Sequence, residues 1–180
     1  MYKIEETIKK LNISSLTELQ KKFFEEFKKD PSSNYLLISP TGGGKTAIAE
    51  ILMLANSGKS VYVSPLRALA QQENDKLSKF RNTVLMIGDV YVDEPEELQF
   101  DILVTTYEKF DSVIRRNYQW LEDVNLVIVD EIHNLKDKQR GQSIESLLEY
   151  CLETGKQIIA MSATIGNPEE IANWLNAKII

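Results

Sequence analysis

Three consecutive glycines followed by lysine and threonine, Gly42–Thr46, interrupt an otherwise apolar part of the chain. The apolar run Tyr35–Ile38 before them predicts a buried strand, and the stretch from Lys45 to about Asn56 predicts a helix. A glycine loop between a strand and a helix can present backbone amides and the helix dipole to phosphate oxygens. Ser39 stands where the general pattern has its first glycine. The segment therefore predicts a phosphate-binding loop, with a plain glycine-rich turn as the alternative.

Each residue type in such a loop has a physical task. Glycines adopt backbone angles that other residues avoid, so their amides can point at the phosphates. Lys45 is expected to reach the β- and γ-phosphates of ATP, and the Thr46 hydroxyl is expected to ligate Mg²⁺. The predicted nucleotide-binding residues of the loop are Thr41, Gly42, Gly43, Gly44, Lys45 and Thr46.

Apolar runs and helical stretches alternate along the chain. The predicted strands are Tyr35–Ile38, Ser60–Ser64, Val84–Ile87, Ile102–Thr105, Leu126–Val129 and Ile158–Met161. The predicted helices are Ser14–Asp30, Lys45 to about Asn56, Leu66–Phe80, Tyr107–Arg116, Gln142–Glu153 and Pro168–Asn176. This alternation predicts an α/β fold, in which a mostly parallel sheet carries helices on both faces. Functional loops of such a sheet lie at the carboxyl ends of its strands.

An acidic turn, Asp130–His133, follows the apolar strand Leu126–Val129. An aspartate at that strand end can hold Mg²⁺, and the neighbouring Glu131 can orient or deprotonate an attacking water. A solvated acidic turn is the alternative. The glycine loop favours the catalytic interpretation, because phosphoryl transfer needs both a phosphate cradle and a metal-binding carboxylate.

Two further strand ends carry weaker signals. Ser162–Thr164 follows a strand but by itself indicates only a polar turn before a helix. Arg67 stands at a predicted helix start, where the helix dipole disfavours a cation. A phosphate partner would offset that mismatch, and a solvated surface arginine is an equal alternative. At the start of the helix Ser14–Asp30, Ser15 and Glu18 match a capping box.

Composition limits the class of protein. The length of 180 residues suits a single domain, 1–180, with residues 1–33 as its N-terminal helical region. The net charge of −6 argues mildly against binding nucleic acid by bulk electrostatics, but it leaves local basic contacts open. One cysteine and one histidine exclude an internal disulfide and a Cys/His metal cluster. We expect a cytoplasmic setting and no membrane association, because neither a spanning segment nor a signal peptide is evident.

Several isolated residues are predicted to have a structural role and no part in a site. Cys151, Trp120 and Trp174 are predicted to pack in the core. A set of local basic side chains is interpreted as solvated surface. These residues are Arg115, Arg116, Lys136, Lys138 and Arg140.

Taken together, the motifs resemble the first motor domain of superfamily 2 helicases. Within them the chain resembles the DExH-box group typified by the superkiller RNA helicase, and most of all its archaeal DNA-repair branch. The likeness runs from about residue 16 to the end and implies a RecA-like P-loop NTPase fold. The segments resembling motifs I, Ia, Ib, II and III are Pro40–Thr46, Ser64–Leu69, Thr105–Asp111, Asp130–His133 and Ser162–Thr164. Ile165–Glu170 marks the subgroup, and Gly88-Asp89 resembles the glycine loop between motifs Ia and Ib.

The resemblance also implies roles that spacing cannot supply. Gln20 resembles the Q-motif glutamine that reads the adenine edge, with an ordinary polar helix position as an equal alternative. The residues expected to line the nucleic-acid backbone are Arg67, Gly88, Thr105 and Thr106. Those expected to couple the nucleotide state to domain closure are His133, Ser162 and Thr164.

Family motors hydrolyse ATP between two motor domains, and the second supplies an arginine finger. Little sequence follows Thr164, so we expect this chain to be the ATP-binding half, working as a monomer with a second RecA-like domain. The expected function is a nucleic-acid-stimulated ATPase that translocates on a single strand and unwinds DNA or RNA, with DNA favoured over RNA. The half alone is expected to bind nucleotide and hydrolyse it poorly. A P-loop kinase and a non-catalytic docking module are the alternatives.

Overall fold

The computed structural model describes residues 2–88, 98–137 and 140–180. Asp89 and Lys138, which the sequence analysis singled out, lie outside the described residues. The α-helices are α1 (Ile4–Lys10), α2 (Glu18–Lys29), α3 (Lys45–Ala55), α4 (Arg67–Leu77), α5 (Tyr107–Arg116), α6 (Gly141–Glu153) and α7 (Pro168–Leu175). The strands are β1 (Asn34–Ile38), β2 (Lys59–Ser64), β3 (Thr83–Met86), β4 (Ile102–Thr106), β5 (Val124–Val129), β6 (Gln157–Ser162) and β7 (Ala177–Ile179). Short 3₁₀ helices cover Gln119–Leu121 and Ile132–Lys136.

The described strands form one seven-stranded sheet in the order β3-β4-β2-β5-β6-β1-β7. All of the described pairings are parallel. The α/β fold predicted from the alternation is therefore confirmed. Because parallel strands all run the same way, their carboxyl ends lie along one edge of the sheet, where the glycine loop and the acidic turn both begin.

Helices cover both faces of the sheet, and a separate apolar core lies on each. One core packs α5, α6 and α7 against the sheet, and the other packs α2, α3 and α4. Successive strand residues alternate between the two cores, so Val61 and Val63 belong to the first while Tyr62 belongs to the second. This double coverage explains why the interior strands are apolar throughout.

The predicted core residues have different outcomes. Trp120 and Cys151 are buried in the core with α5 and α6, as predicted. Trp174 remains 37% exposed, so its packing role is only partial. The segment Pro168–Leu175 forms a helix as expected, but this indole lies on its outer side.

The start of α2 corrects the predicted capping box. Thr17, and not Ser15, is the N-cap, and its hydroxyl accepts a hydrogen bond from the backbone N–H of Gln20 at 3.3 Å. The Thr17 N–H in turn donates a hydrogen bond to the Gln20 Oε1 at 3.0 Å. The sequence contains two overlapping Ser/Thr-x-x-Glu/Gln patterns, and a local pattern alone does not choose between them.

Helix α1 and strand β7 were not predicted from the sequence. In α1, Ile4 and Ile8, with Leu11 directly after the helix, follow helical spacing and pack partly buried against the core. The helix has only seven residues, which is shorter than the window over which such spacing is normally assessed. Strand β7 has three residues and exists through its pairing with β1, so it has no periodic signal of its own. In the part of the chain that the structure describes, no helix has the length and apolar character needed to cross a bilayer.

Candidate functional site

The glycine loop connects β1 to α3, and Lys45 is the first residue of that helix. Gly42 and Gly44 have φ values of +83° and +92°, a region that side chains with a Cβ rarely adopt. The Lys45 ammonium is buried and donates hydrogen bonds to the carbonyls of Ser39 and Pro40, the latter at 3.2 Å. The ammonium thus lies within the loop at the N-terminus of α3, and a helix N-terminus is where phosphate groups bind.

The loop tolerates little beyond glycine. A Cβ on Gly43 would lie 1.8 Å from the Ser39 Oγ, and one on Gly44 would lie 2.6 Å from the Gln20 Nε2. Ser39, which replaces the first glycine of the general pattern, therefore packs directly on Gly43. Concave glycine backbone beside a buried ammonium is a donor set that fits a polyphosphate.

Gln20 lies against this loop. Its Oε1 is engaged by the Thr17 N–H, and its Nε2 donates to the Gly44 carbonyl at 3.1 Å. Its side chain therefore ties α2 to the phosphate loop through both ends of the amide. That it also reads an adenine edge stays a prediction.

Asp130 directly follows β5 and is held by two donors. Its Oδ2 accepts a hydrogen bond from the Tyr62 hydroxyl at 2.8 Å, and its Oδ1 accepts one from the Glu131 N–H at 2.9 Å. Burial raises the pKa of Asp130 and the charge of Glu131 adds to this, whereas the Tyr62 hydrogen bond and the charge of Lys45 oppose it. A carboxylate that burial disfavours is suited to a cation, which would offset that penalty.

Glu131 occupies a constrained turn. Its φ of +50° is unusual for a residue with a Cβ. The Asn134 Nδ2 donates to the Glu131 carbonyl at 2.8 Å, and the Tyr107 hydroxyl contacts the carbonyls of Asp130 and Glu131. The buried Glu131 Oε2 has no hydrogen-bond donor among the described residues, although the His133 Nδ1 lies 3.1 Å away. A buried carboxylate oxygen without a donor is suited to accept a hydrogen bond from a bound water molecule.

The three predicted coupling residues are in contact with one another. The His133 Nδ1 lies 3.2 Å from the Ser162 Oγ, and the Ser162 hydroxyl donates to the Thr164 carbonyl at 3.1 Å. Ser162 is fully buried at the end of β6. The contacts join the acidic turn after β5 to the segment after β6, so the geometry connects Glu131 to this segment.

A second concave region, which we call the basic groove, lies beside the acidic turn. Its cavity of about 370 Å³ is lined by Pro65, Leu66, Arg67, Gly88, Thr106, Glu108, Lys109, Ser112, Arg116 and Arg140. Three of the four residues expected along a nucleic-acid path lie together here. Thr105 does not, contrary to prediction, because it is fully buried between Val63 and Met86 of the adjacent strands.

Of the basic side chains interpreted as solvated surface, Arg115, Arg116 and Lys136 are exposed, as predicted. The basic groove shows in addition that Arg116 and Arg140 lie in its wall with Arg67 and Lys109, whereas Arg115 pairs with Asp111 at 3.0 Å. Four cations and one carboxylate, Glu108, which lies 3.8 Å from Arg140, surround the cavity, so its lining is net basic on a chain that is acidic overall. No sequence pattern collects these four residues, since they come from α4, from α5 and from the turn that precedes α6.

A third concave region, the apolar cleft, opens where the acidic turn meets the segment after β6. Its cavity of about 450 Å³ is lined by His133, Leu135, Lys136, Thr164, Ile165, Gly166, Asn167, Glu170 and Ile171. His133 and Thr164, two of the three predicted coupling residues, are part of this lining. A mostly apolar surface beside polar coupling residues is suited to contact with another protein domain.

Two tyrosines of the site were missed by the sequence analysis. Tyr62 lies in β2 and contacts Asp130, and Tyr107 begins α5 and contacts the turn at Glu131. The available signal was weak: a tyrosine in an otherwise apolar strand needs a partner for its hydroxyl. The sequence cannot indicate which partner that is.

A parallel sheet with a phosphate-binding loop after one strand and an Asp-Glu pair after another defines a P-loop NTPase domain of the RecA-like kind. The comparisons with known proteins agree. The model of the DEAD/DEAH box helicase family matches residues 17–171, and the chain belongs to this family.

Relatives and solved structures support this assignment. The chain is 39% identical to the ATP-dependent DNA helicase Hel308 of Methanococcus vannielii over 188 aligned residues, which cover 96% of the chain and 25% of the relative. It is 40% identical to Hel308 of Methanocaldococcus jannaschii, covering 100% of the chain and 16% of the relative. A structure of Dbp5 from S. cerevisiae bound to ADP and other partners superposes with a TM-score of 0.80 at 22% identity, over 98% of this chain and 50% of that one. The chain thus spans about a quarter or less of these Hel308 relatives.

Proposed function

We propose that this chain is the ATP-binding motor domain of a nucleic-acid-stimulated ATPase that translocates on DNA and unwinds it. The observation that carries the proposal is the meeting of a phosphate-binding loop and an Asp-Glu pair at one edge of the sheet. The charge of Lys45 acts on the carboxyl group of Asp130, so the two lie within electrostatic reach of each other.

Each residue of the site then has a role. The loop Thr41–Thr46 holds the ATP phosphates, and Lys45 supports the β- and γ-phosphates. Thr46 and Asp130 hold Mg²⁺, which neutralises charge on the phosphates when bound. Glu131 orients the attacking water and accepts its proton. Water, and not a second substrate, is favoured as the acceptor because the Glu131 carboxylate lies directly beside the metal-binding aspartate.

The basic groove is the proposed path of the nucleic acid. Arg67, Lys109, Arg116 and Arg140 supply the charge for phosphates, and Gly88 and Thr106 supply small groups beside the backbone. Such contacts read no sequence, which suits a motor that moves along its track. The Hel308 relatives are named DNA helicases, and this favours DNA over RNA.

The apolar cleft is the proposed contact for a second RecA-like domain of the same protein. His133, Ser162 and Thr164 would report the nucleotide state to that domain, because their contacts run from Glu131 to the wall of the cleft. We propose a monomeric motor, since the partner domain belongs to the same chain. The N-terminal residues 1–33 then form a helical part of this domain that supports the loop through Gln20.

The test is the affinity of Lys45→Ala for nucleotide. Loss of the ammonium should weaken Mg-ATP binding about 10- to 100-fold, since hydrogen bonds to charged groups contribute about 1.5–3 kcal/mol. Lys59→Ala is the matched control, because Lys59 is a lysine at the other end of the sheet that pairs with Asp123. Fluorescence titration with a labelled nucleotide measures both. A wild-type chain that binds neither ATP nor ADP with Mg²⁺ would instead support a docking module.

A further inference from the structure

Tyr107 lies between the two sites proposed above. It is the first residue of α5, and its neighbours Thr106, Glu108 and Lys109 line the basic groove. Its own side chain is fully buried in the core beneath α5. The first turn of α5 therefore presents residues to the groove and one residue to the interior.

The Tyr107 hydroxyl ends at the acidic turn. It contacts the backbone carbonyl of Asp130 and lies 3.3 Å from that of Glu131. Glu131 is the residue with a φ of +50°, a conformation that persists only when surrounding contacts hold it. The hydroxyl and the Asn134 amide are the two side chains described as holding this carbonyl.

We propose that Tyr107 is a positioning residue that transmits occupancy of the basic groove to Glu131. This inference rests on the proposed function. The phenol ring is rigid and closely packed, so a shift in the first turn of α5 moves the hydroxyl against the peptide that orients Glu131. Nucleic acid bound to Thr106 and Lys109 would hold that turn in one position and thereby align Glu131.

The hydroxyl is suited to this task at any neutral pH. Burial raises the pKa of Tyr107 well above its ordinary value, so it stays a protonated donor.

The chain also offers a matched comparison. Tyr35 is equally buried, and its hydroxyl donates to the carbonyl of Asp30 at 2.7 Å with that of Glu26 at 3.2 Å, but it lies in the other core.

The experiment compares Tyr107→Phe with Tyr35→Phe in the full-length protein. ATP hydrolysis is measured with and without single-stranded oligo(dT), and kcat and KM for ATP are obtained separately. For Tyr107→Phe we expect the DNA-stimulated kcat to fall about tenfold, the size typical of losing one hydrogen bond to a catalytic turn. Basal kcat should fall less, so that the ratio of stimulated to basal kcat decreases, and KM for ATP should be unchanged. For Tyr35→Phe we expect lower thermal stability and unchanged stimulation.

Other outcomes overturn the inference in distinct ways. Stimulation by oligo(dT) that is unchanged in Tyr107→Phe would exclude the transmission, as would an equal fall in basal and stimulated kcat. A loss of stimulation of the same size in Tyr35→Phe would reduce Tyr107 to a structural residue. A wild-type protein without DNA-stimulated hydrolysis would count against the proposed function itself.

A measurement on the wild-type protein makes the test independent of how the variants fold. Hydrogen exchange of the amides in 130–134 is followed with and without oligo(dT). We expect oligo(dT) to slow exchange in this turn as well as along the first turn of α5. Slowing at α5 with no change at 130–134 would show that the groove is occupied but not connected to Glu131, and would overturn the inference.

Discussion

At the scale of single residues, the acidic turn depends on hydroxyl groups that lie far from it in the sequence. Asp130 is buried enough for its pKa to be raised, and the Tyr62 hydroxyl partly offsets this. Glu131 keeps its unusual backbone conformation with help from Asn134 and Tyr107. The Asp130 carboxylate and the Glu131 backbone therefore receive their hydrogen bonds from groups that carry no charge.

Tyr62→Phe tests the first of these contacts. Without the hydroxyl the pKa of Asp130 should rise further, so protons compete better with Mg²⁺ for the carboxylate. The Mg²⁺ concentration needed for half-maximal nucleotide binding should increase about tenfold, in line with a hydrogen bond to a charged group. Because the competitor is a proton, the defect should grow as the pH is lowered. An unchanged Mg²⁺ requirement at every pH, measured by titration, would contradict this role, and Tyr35→Phe is the control.

At the scale of elements, helices on one face of the sheet hold the site in place. Helix α2 packs its phenylalanines on β1 and α3, and from its N-terminus Gln20 reaches the Gly44 carbonyl. Helices α3 and α4 share a charged cluster, in which Lys76 contacts Glu73 at 2.9 Å and Glu50 at 3.1 Å. Helix α2 thus contacts the loop through Gln20, and the loop leads directly into α3.

Gly44→Ala tests the contact between α2 and the loop. A Cβ at Gly44 meets the Gln20 amide, whereas one at Gly155 meets nothing within 4 Å. Both glycines have positive φ, so each alanine should cost about 1 kcal/mol of unfolding free energy from backbone strain. Only Gly44→Ala should also lower the affinity for Mg-ATP. Urea denaturation and nucleotide titration measure the two effects, and equal affinities for the two variants would argue against the contact.

Glu73→Gln tests the cluster between α3 and α4. Glu73 is buried, one of its oxygens has no hydrogen-bond donor among the described residues, and burial raises its pKa from 4.5 to about 7. The folded state therefore binds this proton more tightly than the unfolded state. The stability that the protonated carboxyl provides is present below pH 4.5 and is lost as the pH rises through 7.

The glutamine variant does not titrate at this position. Its free energy of unfolding should therefore gain on that of the wild type between pH 5 and pH 8, when both are measured by urea denaturation. Glu145→Gln, the same substitution at an exposed position of α6, is the control. Parallel pH profiles for wild type and Glu73→Gln would rule out the buried proton.

At the scale of the whole molecule, three surfaces share the carboxyl edge of one parallel sheet. The nucleotide loop, the basic groove and the apolar cleft all adjoin the loops that follow the strands. The chain has a net charge of −6, but its groove collects four cations, so positive charge is concentrated there. Under the proposed function this edge is one half of a clamp, and the proposed second domain would complete the nucleotide site and the contact with nucleic acid.

The rate of ATP hydrolysis tests whether this chain needs the proposed second domain. The isolated chain should bind Mg-ATP yet hydrolyse it roughly 10³–10⁵ times more slowly than the full-length protein, which is the contribution of an arginine finger. A steady-state ATPase assay with and without oligo(dT) makes the comparison. Rapid DNA-stimulated hydrolysis by the 180 residues alone would show that no second domain is needed.

The sequence by itself determined the parts that depend on local chemistry. The order strand, glycine loop, helix specifies the phosphate site because few residues other than glycine adopt its backbone angles. Alternating apolar runs and helices specify a parallel α/β sheet because both faces of each strand must be covered. The element bounds agree with the structure to within a few residues, and the misplaced cap at Ser15 is a choice between two equivalent local patterns.

Only the tertiary structure decided which side chains meet. Tyr62 reaches Asp130 across 68 positions because β2 and β5 are neighbours in the sheet. Arg116 and Arg140 enter the groove because the C-terminal end of α5 and the N-terminal end of α6 lie beside the first residue of α4, Arg67. Thr105 is excluded from it by strands on both sides. Local patterns report what each segment becomes, whereas contacts between distant segments depend on the strand order, which periodicity and spacing do not encode.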